Sequence, residues 1–325
     1  MAETTYLDAI RRALHEEMER DANVFVMGQD VAQFGGAFRA TKGLYERFGR
    51  NRVINTPLCE SGAVGAALGA ALVGKRPVLE MQFADFVSCA FNQIVNNVAK
   101  TYYRWERPVP MVIRLPYGGG VGAGPFHSQC DEAWFTHVPG LAVVAPSSAR
   151  DAIGLMKSAI RDPNPVIFLE HRFLYRREKD DLAEGVDHLT PLGRAKVLRE
   201  GRDLTVLSYS WTLHESLAAA EEMAREGVSV EVIDLRTLMP LDEETVFASA
   251  RKTGKILVVH EATETSGFGA ELVARLADQC FEWLDGPIRR VAYADRPSPY
   301  NKNLEASLMP GREAILAAMR KLARY

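Results

Sequence analysis

At 325 residues the chain is long enough to bury more than one core, and two domains are expected, since domains run roughly 50–250 residues. Its 47% hydrophobic and 25% charged residues exclude a disordered chain, and a net charge of −3 with mixed signs excludes the basic footprint of a nucleic-acid binder. The four cysteines, Cys59, Cys89, Cys130 and Cys280, are far apart with no CxxC pair, which argues against a zinc site or a disulfide framework and fits a reducing cytosol.

The N-terminal MAETTYLDAIRRALHEEMERD reads as an amphipathic helix without the apolar segment of an export signal. The longest apolar run, Ala63 to Val73, is shorter than the roughly 20 residues that span a bilayer, so a soluble, cytoplasmic protein is expected. Short apolar runs then alternate with helical patterns, as in a parallel sheet covered by helices. Candidate strands are Val24–Met27, Arg52–Asn55, Pro77–Met81, Pro110–Leu115, Leu141–Ala145 and Val166–Leu169. The helical stretches between them are Gly62–Val73, Phe86–Tyr103 and Ala149–Arg161, the last with Ser147 or Ser148 as N-cap.

From Tyr175 to Pro191 the chain turns polar and reads as an interdomain connection. A second alternation follows, with strands at Leu204–Tyr209, Ser229–Asp234, Lys255–His260 and Ile288–Tyr293. Its helices fall near Leu213–Arg225, Asp242–Lys252 and Ala270–Leu284, and a closing helix runs from Gly311 to Tyr325. No repeat of 20–50 residues is present, which excludes a solenoid. The fold class is therefore α/β in two domains: 1–175, a linker 176–192, and 193–325.

Three segments could carry chemistry. In TPLCESGAVGAALGAAL a single carboxylate, Glu60, precedes a run of Gly and Ala whose GxxGxxxG spacing is not that of a dinucleotide fold. The small residues suit close packing of helices. Glu60 has two readings: an acid in the first turn of a helix, stabilising by a few tenths to about 1 kcal/mol, or a desolvated carboxyl whose raised pKa suits proton exchange. Taken alone, the first is the simpler. A second segment, PYGGGVGAGPFHSQ, lacks the GK[ST] of a phosphate loop and reads as a flexible loop presenting His127, Ser128 and Gln129. The third, EMQFADF, lies where a strand ends and a helix begins, the edge at which doubly wound sheets bind ligands. Phe83 and Phe86 could stack there on a flat ring, although core packing is the ordinary role of phenylalanine.

TPLCESG, EMQFADF, AFNQIVNNVAKTYY, GGGVGAGPFHSQ and HVPGLAVVAPSSARDAIGLMKSAIRDPNPVIFLE together resemble the β subunit of the thiamine-diphosphate-dependent 2-oxo acid dehydrogenases of the pyruvate, branched-chain 2-oxo acid and acetoin types. VIDLRTLMPLD, HEATETSGFGAEL and DRPSPYNKNLE extend the resemblance over nearly the whole chain. It implies a transketolase-like pyrimidine-binding domain followed by a transketolase C-terminal domain, and oxidative decarboxylation of a 2-oxo acid with acyl transfer to lipoamide. By the same resemblance Glu60 exchanges a proton with ring nitrogen N1′ of the cofactor's aminopyrimidine, Phe86 lies beside that ring, Leu58 and Gln82 line the pocket, and His127 assists proton traffic or acyl transfer. The sequence departs from the family's usual pattern at Cys59, at GQD in place of GED, at Ser266 and at Arg296, which bears on the pocket's preference among substrates.

The chain has no GDG motif, and its adjacent Asn96 and Asn97 have no such partner upstream. The resemblance therefore implies an α subunit that holds the diphosphate and Mg²⁺, an α2β2 heterotetramer, and docking to a lipoyl acyltransferase core. It also implies a K⁺ ion near Asp162 and Asn164 in IRDPNP, residues that equally make a good turn. His260 and Glu261 end a strand and could line a cleft or serve an interface. Two other readings are weaker. A nicotinamide oxidoreductase needs a strand, GxGxxG and helix with an acid about 20 residues on, which no segment supplies. A non-catalytic docking subunit would not need both Glu60 and His127.

Overall fold

The computed structural model describes residues 3–325, and Met1 and Ala2, the start of the expected N-terminal helix, lie outside the described residues. The chain divides into two compact units, one of residues 1–117 and 134–192 and the other of residues 118–133 and 193–325. The glycine-rich loop that carries His127 falls among the residues of the second unit.

The first unit begins with β1 (Glu3–Thr5), which pairs antiparallel with β8 (Lys179–Asp181), a strand inside the segment expected to be a linker. Helix α1 (Tyr6–Arg20) starts where the Thr5 side chain accepts the Asp8 N–H, and Tyr6, Leu7, Ile10, Ala13, Leu14 and Met18 form its buried stripe. That stripe packs on α6 (Ala149–Arg161), capped by Ser148. The sheet of this unit is formed by β2 (Val24–Gly28), β3 (Val53–Asn55), β4 (Arg76–Glu80), β5 (Val112–Tyr117), β6 (Ala142–Val144) and β7 (Val166–His171). They run parallel in the order β6-β7-β5-β4-β2-β3. Val112, Ile113, Leu115, Val166, Ile167, Phe168 and Leu169 are each 0% exposed, as continuous apolar strands covered on both faces should be. A short helix α2 (Leu44–Phe48) precedes β3, and α3 (Glu60–Leu72) connects β3 to β4.

The expected helix Phe86–Tyr103 is not one α-helix. It is a 3-10 helix (Ala84–Ala90), a π-helix (Gln93–Val98) and a short α4 (Thr101–Trp105). Polar side chains compete along it: Asn96 Nδ2 donates to Asn92 Oδ1 at 2.8 Å, Asn97 Nδ2 to Gln93 Oε1 at 2.8 Å, and Thr101 Oγ1 to the Asn97 carbonyl at 2.7 Å. The widened turn closes with the Ala99 N–H on the Ile94 carbonyl at 2.9 Å. On α3 a methyl group at Gly65 or Gly69 would meet nothing within 4 Å among the described residues outside the helix's own backbone. Their smallness serves no packing within the described residues.

The second unit has its own sheet. Strands β10 (Leu204–Ser208), β11 (Val230–Asp234), β13 (Ile256–Thr263) and β14 (Arg289–Tyr293) run parallel, and β9 (Lys196–Arg199) adds an antiparallel edge, in the order β14-β13-β10-β11-β9. A further short strand, β12 (Thr237–Met239), follows β11. Leu213, Ala219, Ala220 and Met223 of α7 (Trp211–Arg225) and Ile315, Leu316, Met319 and Leu322 of α11 (Arg312–Ala323) close over Leu204, Val206, Val232, Leu257 and Val259. Helices α8 (Glu243–Thr253) and α9 (Phe268–Cys280) pack together. Two short helices lie where the sequence reading assigned no element: α10 (Lys302–Leu308), and α5 (Glu132–Thr136) after the glycine loop.

Candidate active site

Strand register puts the candidate carboxylate at a defined edge. Gly28 pairs with Asn55 on β3 and with Glu80 on β4, so the carboxyl ends of β2, β3 and β4 are level. The chain leaves β2 to one side for β3 and returns across it for β4, which makes the β2/β4 boundary the switch point where open α/β sheets form their ligand crevice.

The turn after β2 supplies Gln29 and Asp30, the latter at φ 56°. Gln29 is 8% exposed, and its Nε2 donates to Glu60 Oε1 at 3.0 Å. Glu60 is the first residue of α3 and half-buried; the preceding Cys59 makes no side-chain cap. The second Glu60 oxygen accepts no hydrogen bond among the described residues, and Gln29 Oε1 is buried without a partner. Asp30 Oδ2 accepts from Gln82 Nε2 at 3.3 Å. One two-residue turn therefore holds Glu60 on one side and Gln82 on the other. Leu58, two residues before Glu60, is 82% exposed.

The segment after β4 brings aromatic rings to the same edge. Phe83 and Phe86 meet edge to face at 5.5 Å, Phe38 meets Phe83 at 5.3 Å, and the Arg172 guanidinium lies 5.1 Å from the Phe83 ring. Beneath them lies a buried ion triad that sequence reading missed. Arg114 on β5 donates from Nε and Nη2 to the two oxygens of Glu170 at 2.6 and 2.8 Å, and from Nη1 to Glu80 Oε2; the Tyr175 hydroxyl donates to Glu170 Oε2 at 2.7 Å. Burial pushes the Glu80 carboxyl up against the pull of Arg114, and burial with the adjacent Glu170 pushes the Tyr175 phenol well up. Burial alone would lower Arg114, but Glu170 and Glu80 hold it firmly charged. Its sequence signal was Glu80 and Arg114 inside two strands read as apolar, and Glu170 just past the end of a third. Gly36 lies against this triad at φ 81°, where a methyl group would stand 2.8 Å from Glu80 Oε1.

His127 lies in the second unit, half-buried, with its N–H on the Gly124 carbonyl at 3.3 Å. The neighbouring Ser128 is 6% exposed. Asp162 and Asn164 follow α6, where Asp162 Oδ1 accepts the Asn164 N–H at 2.7 Å and Asn164 Nδ2 at 3.1 Å. Arg76 Nη1 donates to the Ile160 and Asp162 carbonyls there, at 2.7 and 3.2 Å. Asn96 and Asn97 are engaged by Asn92 and Gln93, and no group of three or more His, Cys, Asp or Glu able to hold a metal occurs among the described residues. No helix among them is long and apolar enough to cross a membrane.

Known proteins share this architecture and sequence. Residues 2–178 match the transketolase pyrimidine-binding domain and residues 193–315 the transketolase C-terminal domain. A solved structure, a split-gene transketolase described as an inactive beta4 tetramer, superposes with a TM-score of 0.81 at 22% identity, covering 99% of this chain and 98% of that one, which shows the shared fold. The chain is 47% identical over 330 residues to the 2-oxoisovalerate dehydrogenase subunit beta of Bacillus subtilis, covering 100% of both. It is 45% identical over 326 residues to the mitochondrial pyruvate dehydrogenase E1 component subunit beta of Dictyostelium discoideum, covering 99% of this chain and 92% of that one. With sequence and fold agreeing over its whole length, the chain belongs to the E1 β subunits of the 2-oxo acid dehydrogenases, a transketolase-like, thiamine-diphosphate-dependent family.

Proposed function

We propose that the chain completes a thiamine diphosphate site together with an α subunit, and that the assembly decarboxylates a 2-oxo acid oxidatively and passes the acyl fragment to lipoamide. The observation that carries the reading is Glu60, held by Gln29 at the switch-point edge with one carboxylate oxygen that accepts no hydrogen bond among the described residues. The residues fit an aminopyrimidine. Glu60 offers an oxygen to a ring nitrogen, the buried and unpartnered Gln29 Oε1 could take an N–H, and Phe86 and Gln82 bound the same edge beside Leu58. Bound there, the cofactor would supply the electron sink for loss of carbon dioxide.

The protein's part is to bind, orient and move a proton. Glu60 would hold the proton exchanged with ring nitrogen N1′, and Gln29 would keep its carboxylate turned toward the ring. His127 would carry protons at the reacting centre or assist acyl transfer. The diphosphate and Mg²⁺ would be held by the α subunit in an α2β2 heterotetramer docked on a lipoyl acyltransferase core in the cytoplasm. A K⁺ ion would be held by Asp162 and Asn164, and its binding would show as K⁺-dependent thermal stability.

The substrate is a branched-chain 2-oxo acid or pyruvate. The full-length match to a 2-oxoisovalerate dehydrogenase subunit favours the former. The test is dye reduction by the complex purified through a tag on this chain, with 3-methyl-2-oxobutanoate or pyruvate, with and without thiamine diphosphate and Mg²⁺. Cofactor-dependent reduction is expected, faster with 3-methyl-2-oxobutanoate. No reduction with either acid, in a complex carrying bound cofactor, would refute the reading and favour an acetoin-type or non-catalytic subunit.

A further inference from the structure

The glycine loop that carries His127 is held by side chains to which the proposed reaction gives no part. At its base the Gly118 N–H donates to the Gln129 carbonyl at 3.2 Å. The Gly119 N–H donates to Glu261 Oε1 at 2.5 Å, and the Gly122 N–H to Glu305 Oε2 at 2.7 Å. Glu305 Oε1 accepts from Ser298 Oγ at 3.2 Å. Glu261 comes from β13 and is 6% exposed; Glu305 comes from α10 and is 1% exposed. All of these residues lie in the second unit.

The loop is shaped for this seat. Gly118, Gly120, Gly122 and Gly124 all have left-handed φ, from 70° to 90°. A methyl group at Gly122 would stand 2.9 Å from Lys302 Cγ, and one at Gly124 only 2.2 Å from the Tyr300 ring. A backbone bent this way turns amide N–H groups toward an anion, and here the anions are two of the protein's own carboxylates. Burying a carboxylate is costly unless it is hydrogen-bonded, so spending two on the amides of one loop fits a loop whose position matters. Because the His127 N–H rests on the Gly124 carbonyl, two residues beyond the Glu305 tether, the place of the imidazole follows from that seat.

We propose that Glu261 and Glu305 are positioning residues for His127, pinning the glycine loop so that the imidazole is presented in one place. The motifs HEATETSGFGAEL and DRPSPYNKNLE then have a shared task, to build the seat. The inference rests on the catalytic reading of His127, and the test separates the two.

Hydrogen–deuterium exchange of peptides spanning residues 118–129 is measured in the assembled enzyme alongside kcat and KM for the 2-oxo acid. Glu305→Ala is expected to speed exchange in the loop by at least about tenfold, as expected for loss of a charge-assisted hydrogen bond, with the strands of both sheets unchanged. It should lower kcat more than it raises KM. Glu305→Gln, which keeps an acceptor oxygen, should restore most of both properties, and Glu261→Gln serves as a second probe should the alanine variant fail to fold. In a His127→Ala background Glu305→Ala should lower kcat no further, because groups that act as a unit are not additive. Unchanged loop exchange in the Glu305 and Glu261 variants, or a fully additive loss in the double variant, would overturn the proposal. Faster loop exchange together with full turnover in His127→Ala would refute the role given to His127 and leave the tether standing.

Discussion

Glu132 offers a test of the second unit's electrostatics. It is the first residue of α5 and 0% exposed; Tyr209 donates its hydroxyl to Oε1 at 2.6 Å, and Oε2 is buried without a partner among the described residues. Burial pushes its carboxyl up from 4.5 to about 7, with Glu261 adding to the rise and the Tyr209 hydrogen bond opposing it. Since the folded protein holds this proton more tightly than the unfolded chain does, the contribution to stability is complete below pH 4.5 and is lost as the pH rises through about 7. At about 1.4 kcal/mol per pH unit, that gap corresponds to a loss of about 3 kcal/mol above pH 7. Glu132→Gln keeps the acceptor for Tyr209 and cannot ionise. About 2.5 kcal/mol of that loss falls between pH 5 and pH 8, so at about 2.1 cal/mol/K per residue over 325 residues the variant should gain about 3–4 °C in Tm relative to wild type across that range. Thermal melts followed by circular dichroism across that range would show two curves that diverge. Parallel curves would refute the argument that the buried carboxyl is protonated in the folded state and forced to ionise at higher pH.

The remaining predictions concern the first unit. Glu60→Gln should lower cofactor-dependent dye reduction by at least about 100-fold while the α subunit still co-purifies; full activity would remove the proton-exchange role. Arg114→Met leaves Glu80 and Glu170 buried without their cation and should cost about 3–5 kcal/mol in denaturant unfolding, whereas a loss below about 1 kcal/mol would show that the carboxylates simply take up protons. Gly36→Ala places a methyl group 2.8 Å from Glu80 Oε1 at φ 81°. It should destabilise by about 1–3 kcal/mol, measurable as a fall in Tm.

The strands and most helices were legible because burial writes a pattern. The apolar runs of β4, β5 and β7 and the periodic stripe of α6 each have one physical reading, and α6 spans the residues expected of it. What escaped was set by pairing between distant residues. β1 is three residues long and exists because β8 offers it an antiparallel edge. The helix expected at Phe86–Tyr103 was read as one element, and its spacing does not report that the turn widens where the Ala99 N–H reaches the Ile94 carbonyl. Arg114 and Glu170 are 56 residues apart in sequence; their pairing depends on β5 lying beside β7. At the candidate site Glu60 and Gln82 were named from resemblance, while Gln29, which holds Glu60, was noticed only as a departure from a commoner motif. That departure has a physical reading: an amide can donate to the neighbouring carboxylate, where an ionised glutamate could only repel it.

The chemistry of the first unit's edge also bears on why such a chain would work with a partner. Glu60, Gln29 and Gln82 offer neutral and anionic hydrogen-bonding groups, and Phe83 and Phe86 offer ring faces and edges. These suit a flat, nitrogen-containing ring. A diphosphate asks for the opposite, a bound divalent cation or converging N–H groups, and a hard cation such as Mg²⁺ asks in turn for several oxygen ligands in one place. The glycine loop directs two of its N–H groups onto Glu261 and Glu305. Asn96 and Asn97 donate their side-chain N–H groups to Asn92 and Gln93 one turn back in the same segment, and no group of three or more His, Cys, Asp or Glu able to hold a metal occurs among the described residues. On the proposed reading the two ends of the cofactor therefore make demands that this chain meets at one end only, with the ring end built around Glu60 and the phosphate end left to the α subunit.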